Sequence, residues 1–155
     1  MPVTELKEFL DKNKVKYVSI RHSTTYTAQE IAASAHVKGR NMAKTVVVKL
    51  DGKIALAVLP AKYQVDFARL KECCRVSSVE LAREEEFAQL FPGCETGAMP
   101  PFGNIYDLPV YADETLKKDE EIAFNACSHT ELIQLSYRDF ERLVKPTFCR
   151  FSILR

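Results

Sequence analysis

Thr45-Val46-Val47-Val48-Lys49-Leu50-Asp51-Gly52-Lys53-Ile54-Ala55-Leu56-Ala57-Val58 is the stretch on which the fold turns. Two runs rich in β-branched and aliphatic residues flank Asp51-Gly52, a pair that tolerates the positive φ values of a two-residue turn. The stretch therefore reads as a tight β-hairpin. Upstream, Tyr17 to Arg21 alternates like a short strand. It follows a helix capped by Thr4, in which Leu6, Phe9 and Leu10 recur at the spacing of a buried stripe before the helix ends near Asn13. Between this strand and the hairpin, Thr27-Ala28-Gln29-Glu30 fits a capping box and predicts a helix to about His36, stopped by Gly39.

Downstream, Asp66 can cap a helix through Phe67, Leu70 and Cys74. A strand at Val79 to Leu81 and a helix from Glu84 to Phe91, ended by Pro92-Gly93, follow. Strands are expected at Val110 to Asp113, Glu121 to Asn125 and Glu131 to Leu135. Ser136-Tyr137-Arg138-Asp139 caps a last helix that turns Phe140, Leu143 and Val144 inward, and Lys145-Pro146 closes it. Hairpins interspersed with helices argue for an α+β domain rather than a parallel βαβ array.

The chain has 155 residues, enough for one domain, 1–155, with 147–155 as a tail, and enough core to stand without disulfides or a structural metal. With 22 Lys and Arg against 21 Asp and Glu, the net charge of +1 lacks the field of a protein that coats nucleic acid non-specifically. The longest apolar run, Ile54 to Ala61, is far short of a membrane span, and Met1 to Glu8 is acidic where a signal peptide would be basic, so a cytoplasmic location is expected. The five cysteines, Cys73, Cys74, Cys94, Cys127 and Cys149, are odd in number and contain no C-x-x-C; they read as free thiols in a reducing compartment.

Three places could carry chemistry. Lys44 stands where an apolar strand begins; by position it is either a solvated lysine or an ammonium able to reach a phosphate or a developing oxyanion. Gly97-Ala98-Met99-Pro100-Pro101-Phe102-Gly103 cannot be regular structure, since two prolines remove two N–H donors and two glycines permit positive φ. It is a stiff connection or a loop whose backbone holds a ligand. Asn125-Ala126-Cys127-Ser128-His129 ends a strand with polar and reactive side chains close together. Cys127 and His129 could share a strand face as a thiolate–imidazole pair or as two metal ligands, although a structural cysteine beside a site histidine fits better. His22-Ser23-Thr24-Thr25-Tyr26 is a polar loop that serves as a pocket rim or an exposed turn. The usual nucleotide, dinucleotide, zinc-protease and serine-hydrolase motifs do not occur.

Ala43-Lys44-Thr45-Val46-Val47-Val48, Gly97 to Gly103, Asn125 to His129 and Asp139-Phe140-Glu141-Arg142-Leu143, in this order and spacing, resemble the YbaK family, free-standing relatives of the editing domain inserted in bacterial prolyl-tRNA synthetases. The resemblance runs from about Lys16 to Pro146. It implies hydrolysis, in trans and without a cofactor or metal, of the ester joining a wrong small amino acid such as Ala, Ser, Cys or Thr to tRNA(Pro) or a related tRNA. The implied partners are the acceptor end of the mischarged tRNA and, as a further candidate, an aminoacyl-tRNA synthetase. The implied fold is a single α+β domain with a mixed, largely antiparallel, curved or barrel-like sheet and surrounding helices.

In that family a lysine in the position of Lys44 helps hold the 3' end, a G-x-x-x-P loop matching Gly97 to Pro101 positions the aminoacyl group, and the strand end lines the pocket. The catalytic candidates are accordingly Lys44, Gly97 and Pro101. The substrate-binding candidates are Tyr26, Thr45, Ala98, Met99, Pro100, Phe102, Gly103, Asn125, Ser128 and His129. Some relatives carry Gly-Gly or Ala-Gly where this chain has Ala126-Cys127. Lys38, Arg40 and Lys44, and separately Arg138, Arg142, Lys145 and Arg150, form two basic stretches for phosphates or for solvent. The competing readings are a non-catalytic tRNA-binding or nucleic-acid-binding module of the same fold and a hydrolase using Cys127 with His129.

Overall fold

Asp51 and Gly52 adopt φ values of 50° and 83°, which matches the right-handed twist of the strands they join. In the computed structural model, which describes residues 2–21, 42–118 and 120–154, they connect strands β2 (Ala43–Leu50) and β3 (Lys53–Pro60), paired without interruption from Ala43↔Pro60 to Leu50↔Lys53. The Asp51 carboxylate also accepts from the N–H groups of Ser77 and Ser78, tying the turn to the next segment.

The hairpin is covered on both faces. Ala43, Val47, Leu56 and Val58 belong to the larger core, with Met99, Phe102, Phe124 and Phe140; Val48, Leu50, Ala55, Ala57 and Leu59 belong to a second core with Leu70 and Phe151. Burial on both sides is why β3 reads as a continuous apolar run rather than an alternating one.

Strand β1 (Tyr17–Arg21) follows helix α1 (Pro2–Lys12). The expected Thr4 cap lies inside α1. The helix begins at Pro2, whose fixed φ suits a first turn and whose missing N–H costs nothing there. Strand β4 (Tyr63–Val65) leads to α2 (Phe67–Cys74), where the Asp66 carboxylate accepts from the N–H groups of Ala68 and Arg69 as expected. Strand β5 (Val79–Leu81) and helix α3 (Glu84–Phe87) follow. The helix expected to reach Phe91 tightens into a 3-10 turn at Ala88–Leu90, since Phe91 precedes a proline and takes ψ of 64°.

Strands β6 (Val110–Asp113), β7 (Glu121–Asn125) and β8 (Glu131–Ser136) stand where the sequence places them. Helix α4 (Tyr137–Val144) is capped by Ser136, whose hydroxyl accepts from the Asp139 N–H and donates to the Asp139 carboxylate. The tail forms β9 (Thr147–Cys149) and β10 (Ser152–Leu154). The helix expected from Thr27 to His36 lies outside the described residues.

The sheet orders are β5-β2-β3-β6-β9, β1-β8-β7 and β10-β4. β3, β6 and β9 run parallel and the other pairs are antiparallel. The fold is the expected single α+β domain, but among the described residues its strands divide into three sheets, none of which closes on itself. A lone parallel bridge, Met42↔Ala123, joins the foot of β2 to β7.

Asp113, 1% exposed at the end of β6, receives hydrogen bonds from the N–H groups of Phe151 (2.8 Å), Ser152 (3.0 Å) and Thr115 (3.1 Å) and from the Thr115 hydroxyl. That carboxylate seats the tail. Among the described residues no helix is long and apolar enough to cross a membrane.

Candidate functional site

The bridge between Met42 and Ala123 brings β2 alongside β7. Two residues further along each strand stand Lys44 and Asn125. Side chains alternate along a strand, so both follow the face of Met42 and Ala123, whose apolar floor includes Leu132. Lys44 and Asn125 are each half-buried. Thr45 points the opposite way, with Ala43 and Val47, and its hydroxyl is buried without a hydrogen-bond partner.

Beyond Asn125 the chain leaves β7 and meets the glycine-proline loop through the main chain. The Cys127 N–H donates to the Ala98 carbonyl (2.8 Å), and the Glu95 N–H donates to the Cys127 carbonyl (2.9 Å). The Ala98 N–H donates to the Glu95 carbonyl (3.0 Å). The His129 N–H donates to Glu95 Oε2 (2.9 Å), and its ring Nε2 lies 2.8 Å from the Thr96 carbonyl. A carbonyl only accepts, so Nε2 is the donor in this contact. Segments about 30 residues apart are thereby clasped.

Gly97 has φ of 86°, and a Cβ built there would stand 3.5 Å from Cε1 and 3.6 Å from Nε2 of His129. Glycine supplies the left-handed backbone that brings the main chain against the imidazole. Gly103 is not in that region, so of the two glycines that permit positive φ only Gly97 uses it. Gly103 is required by close approach instead, since a Cβ would meet the Leu108 carbonyl oxygen at 2.4 Å and Val110 Cγ2 at 2.6 Å.

Of the loop residues singled out in the sequence, Gly97 is exposed, whereas Ala98, Met99, Pro100, Pro101, Phe102 and Gly103 are buried. Phe102 is 0% exposed and packs on Phe9, Phe124 and Phe140, so its ring anchors the loop in the core instead of opening onto a surface. Ser128 exchanges a hydrogen bond with the Thr130 hydroxyl (2.7 Å) and shapes the turn into β8. Tyr26 lies outside the described residues, as do His36, Lys38 and Arg40. In the second basic stretch, Arg142 pairs with Asp139 (3.0 Å) and Arg150 with Glu114 (2.8 Å), which partly neutralises it.

The cysteines overturn the free-thiol expectation. Cys94 and Cys127 form one disulfide, with Cα atoms 4.3 Å apart, and Cys73 and Cys149 another at 6.0 Å; Cys74 is free. Partners separated by 33 and 76 residues cannot be matched from spacing. A Cys127–His129 nucleophile is also overturned: the Cys127 sulfur is bonded to Cys94, and the imidazole is committed to Thr96. The two residues follow β7 rather than share a strand face. Cys127 has φ of 66°, the left-handed conformation that suits the glycine of some relatives. The Tyr106 hydroxyl lies 3.8 Å from the Cys94 sulfur and 3.6 Å from that of Cys127. Burial, then the charge of Glu5, pushes its pKa up to about 12, so it stays neutral.

Sequence reasoning missed Glu95 and Thr96. Their signal was adjacency to Gly97, one acid and one hydroxyl immediately before the bend; their contacts to His129 are tertiary.

The result is an α+β domain in which main-chain hydrogen bonds gather the glycine-proline bend and the residues that follow β7. A family model described as an aminoacyl-tRNA editing domain matches residues 22–143, and the chain belongs to that family.

The proline–tRNA ligase of Bacillus mycoides (strain KBAB4) is 28% identical over 100 residues, 64% of this chain and 17% of the ligase. That of Lysinibacillus sphaericus (strain C3-41) is 30% identical over 91 residues, 59% of this chain and 16% of the ligase. The chain thus matches less than a fifth of the length of these relatives. Two solved structures share the fold at a TM-score of 0.83. One is a candidate trans-editing enzyme for prolyl tRNA synthetase, 20% identical, with 98% of this chain and 97% of that one covered. The other is the hypothetical protein APE2540, 21% identical, with 96% and 99% covered.

Proposed function

We propose that this chain acts in trans as an aminoacyl-tRNA deacylase, hydrolysing the ester between a small amino acid, of the class of Ala, Ser, Cys or Thr, and tRNA(Pro) or a related tRNA. Family membership and the likeness to part of proline–tRNA ligases support the substrate class. The observation that carries the reading is the clasp of Glu95–Ala98 to Cys127–His129, which packs the Gly97 backbone against the His129 imidazole.

An ester beside a ribose hydroxyl is already labile. Fixing its carbonyl, directing dipoles at the developing oxyanion and ordering a water give useful rates without a protein nucleophile. In this scheme Lys44 neutralises a terminal phosphate or the oxyanion, and Gly97 to Pro101 hold the aminoacyl group. Asn125 and His129 set the polarity and size of the pocket.

The test is a panel of tRNAs, each mischarged with one small amino acid, incubated with catalytic amounts of wild type and of Lys44→Ala. Wild type is expected to release at least one amino acid over many turnovers, and Lys44→Ala to lose about 100-fold or more, the scale of removing one oxyanion donor. Stoichiometric protection of the ester without turnover would instead establish a binding module. A folded Lys44→Ala protein with unchanged rates on every substrate would refute the assignment of Lys44.

A further inference from the structure

Glu95 is joined to the site at three atoms. Its N–H donates to the Cys127 carbonyl (2.9 Å), its carbonyl accepts from the Ala98 N–H (3.0 Å), and its Oε2 accepts from the His129 N–H (2.9 Å). Thr96 adds two more links, with its carbonyl on His129 Nε2 (2.8 Å) and its hydroxyl on Glu84 Oε1 (2.7 Å), which tethers the bend to α3. These bonds make a closed circuit through Ala98, Cys127 and His129. Beside the Cys94–Cys127 disulfide, all but one of the hydrogen bonds across to the Cys127–His129 segment use main-chain or imidazole atoms. The Glu95 carboxylate is the exception, and it grips the residue whose ring forms a wall against Gly97, 3.5 Å from where a Cβ would stand.

Resting on the deacylase reading, we propose that Glu95 is a positioning residue that sets amino-acid discrimination by holding His129 against the Gly97 bend. The carboxylate does not touch the reacting ester. It is exposed, so little of the fold depends on it, while the contact it makes fixes the spacing between imidazole and loop. Excluding one extra methylene is worth only about 10- to 200-fold in a pocket of fixed walls. A wall released by a fraction of an ångström forfeits much of that selectivity, because dispersion contacts fall away steeply with such a gap. Loss of Glu95 therefore equalises substrates that differ by a methyl or methylene group, which a general loss of stability does not do.

The experiment measures kcat and KM for wild type, Glu95→Ala and Glu95→Gln on a matched pair of esters differing by one carbon, alanyl-tRNA and 2-aminobutyryl-tRNA, with thermal melting in parallel. Glu95→Ala is expected to melt within a few degrees of wild type and to reduce the kcat/KM ratio of the pair at least fivefold. Glu95→Gln, whose amide oxygen still accepts from the His129 N–H, is expected to keep the ratio within twofold. An unchanged ratio in Glu95→Ala, with both substrates slowed by a common factor, would overturn this inference alone, as would a Gln variant as indiscriminate as the Ala variant. A wild type that releases neither amino acid, nor any other in the panel, would overturn the deacylase reading and this inference with it.

Discussion

Replacing Asp113 by Asn asks how far the C-terminal segment depends on one buried carboxylate. Oδ1 accepts from the N–H groups of Phe151 and Ser152, and Oδ2 accepts from the N–H and the hydroxyl of Thr115. Asparagine has one oxygen and one NH2, so one pair of donors keeps its acceptor while the other faces a donor. Phe151 is 0% exposed and its N–H cannot rehydrate, so the amide oxygen turns toward the tail and the loss falls on half-buried Thr115. Hydrogen bonds to charged groups are worth about 1.5–3 kcal/mol each, and the Thr115 donors recover part of that from water. The expected cost is therefore about 2 kcal/mol for Asp113→Asn and about 4 kcal/mol for Asp113→Ala, which orphans all four donors.

Urea unfolding gives the magnitudes, and amide exchange at Phe151 and Ser152 shows where the cost falls. Burial by itself would raise the Asp113 pKa, but the hydrogen bonds from Thr115, Phe151 and Ser152 outweigh it and hold the folded value below the usual one. Its contribution is thus complete above the unfolded pKa of about 3.9 and is lost as pH falls through the folded value. Wild type should lose stability on acidification more steeply than Asp113→Asn. An Asp113→Ala protein within about 1 kcal/mol of wild type, with the Phe151 amide still protected, would show that packing alone seats the tail.

The two loop glycines should respond differently to alanine. Gly103→Ala drives a Cβ into the Leu108 carbonyl and should cost about 3 kcal/mol or more, whereas Gly97→Ala meets only van der Waals contacts and the left-handed φ and should cost about 1 kcal/mol; thermal melts in the reverse order would refute this. Peptide mapping of air-oxidised protein without reductant should recover Cys73 linked to Cys149 and Cys94 linked to Cys127, with Cys74 alone alkylated; five alkylated cysteines would contradict the pairing. Under the same oxidising conditions Cys73→Ser, at the exposed end of its pair, should lose about 2–4 kcal/mol by reopening a long loop, and almost nothing in reductant.

What the sequence determined by itself is the structure written in neighbouring residues. Asp51-Gly52 selects its turn, Asp66 and Ser136 cap their helices through donors two or three residues away, and Tyr17 to Arg21 alternates as the strand it forms. The order of motifs likewise sufficed to indicate the editing-domain family. Strands β4, β9 and β10 left no trace, although the equally short β5 did, because their pairing with distant partners is what makes them strands.

Tertiary structure alone decided the disulfides, the seating of the tail on Asp113, and the clasp in which Glu95 meets His129 across 34 residues. Such contacts arise when two cores close over both faces of the hairpin and bring remote segments within hydrogen-bonding reach. Their geometry depends on the packing of the whole chain, which no window of neighbouring residues contains.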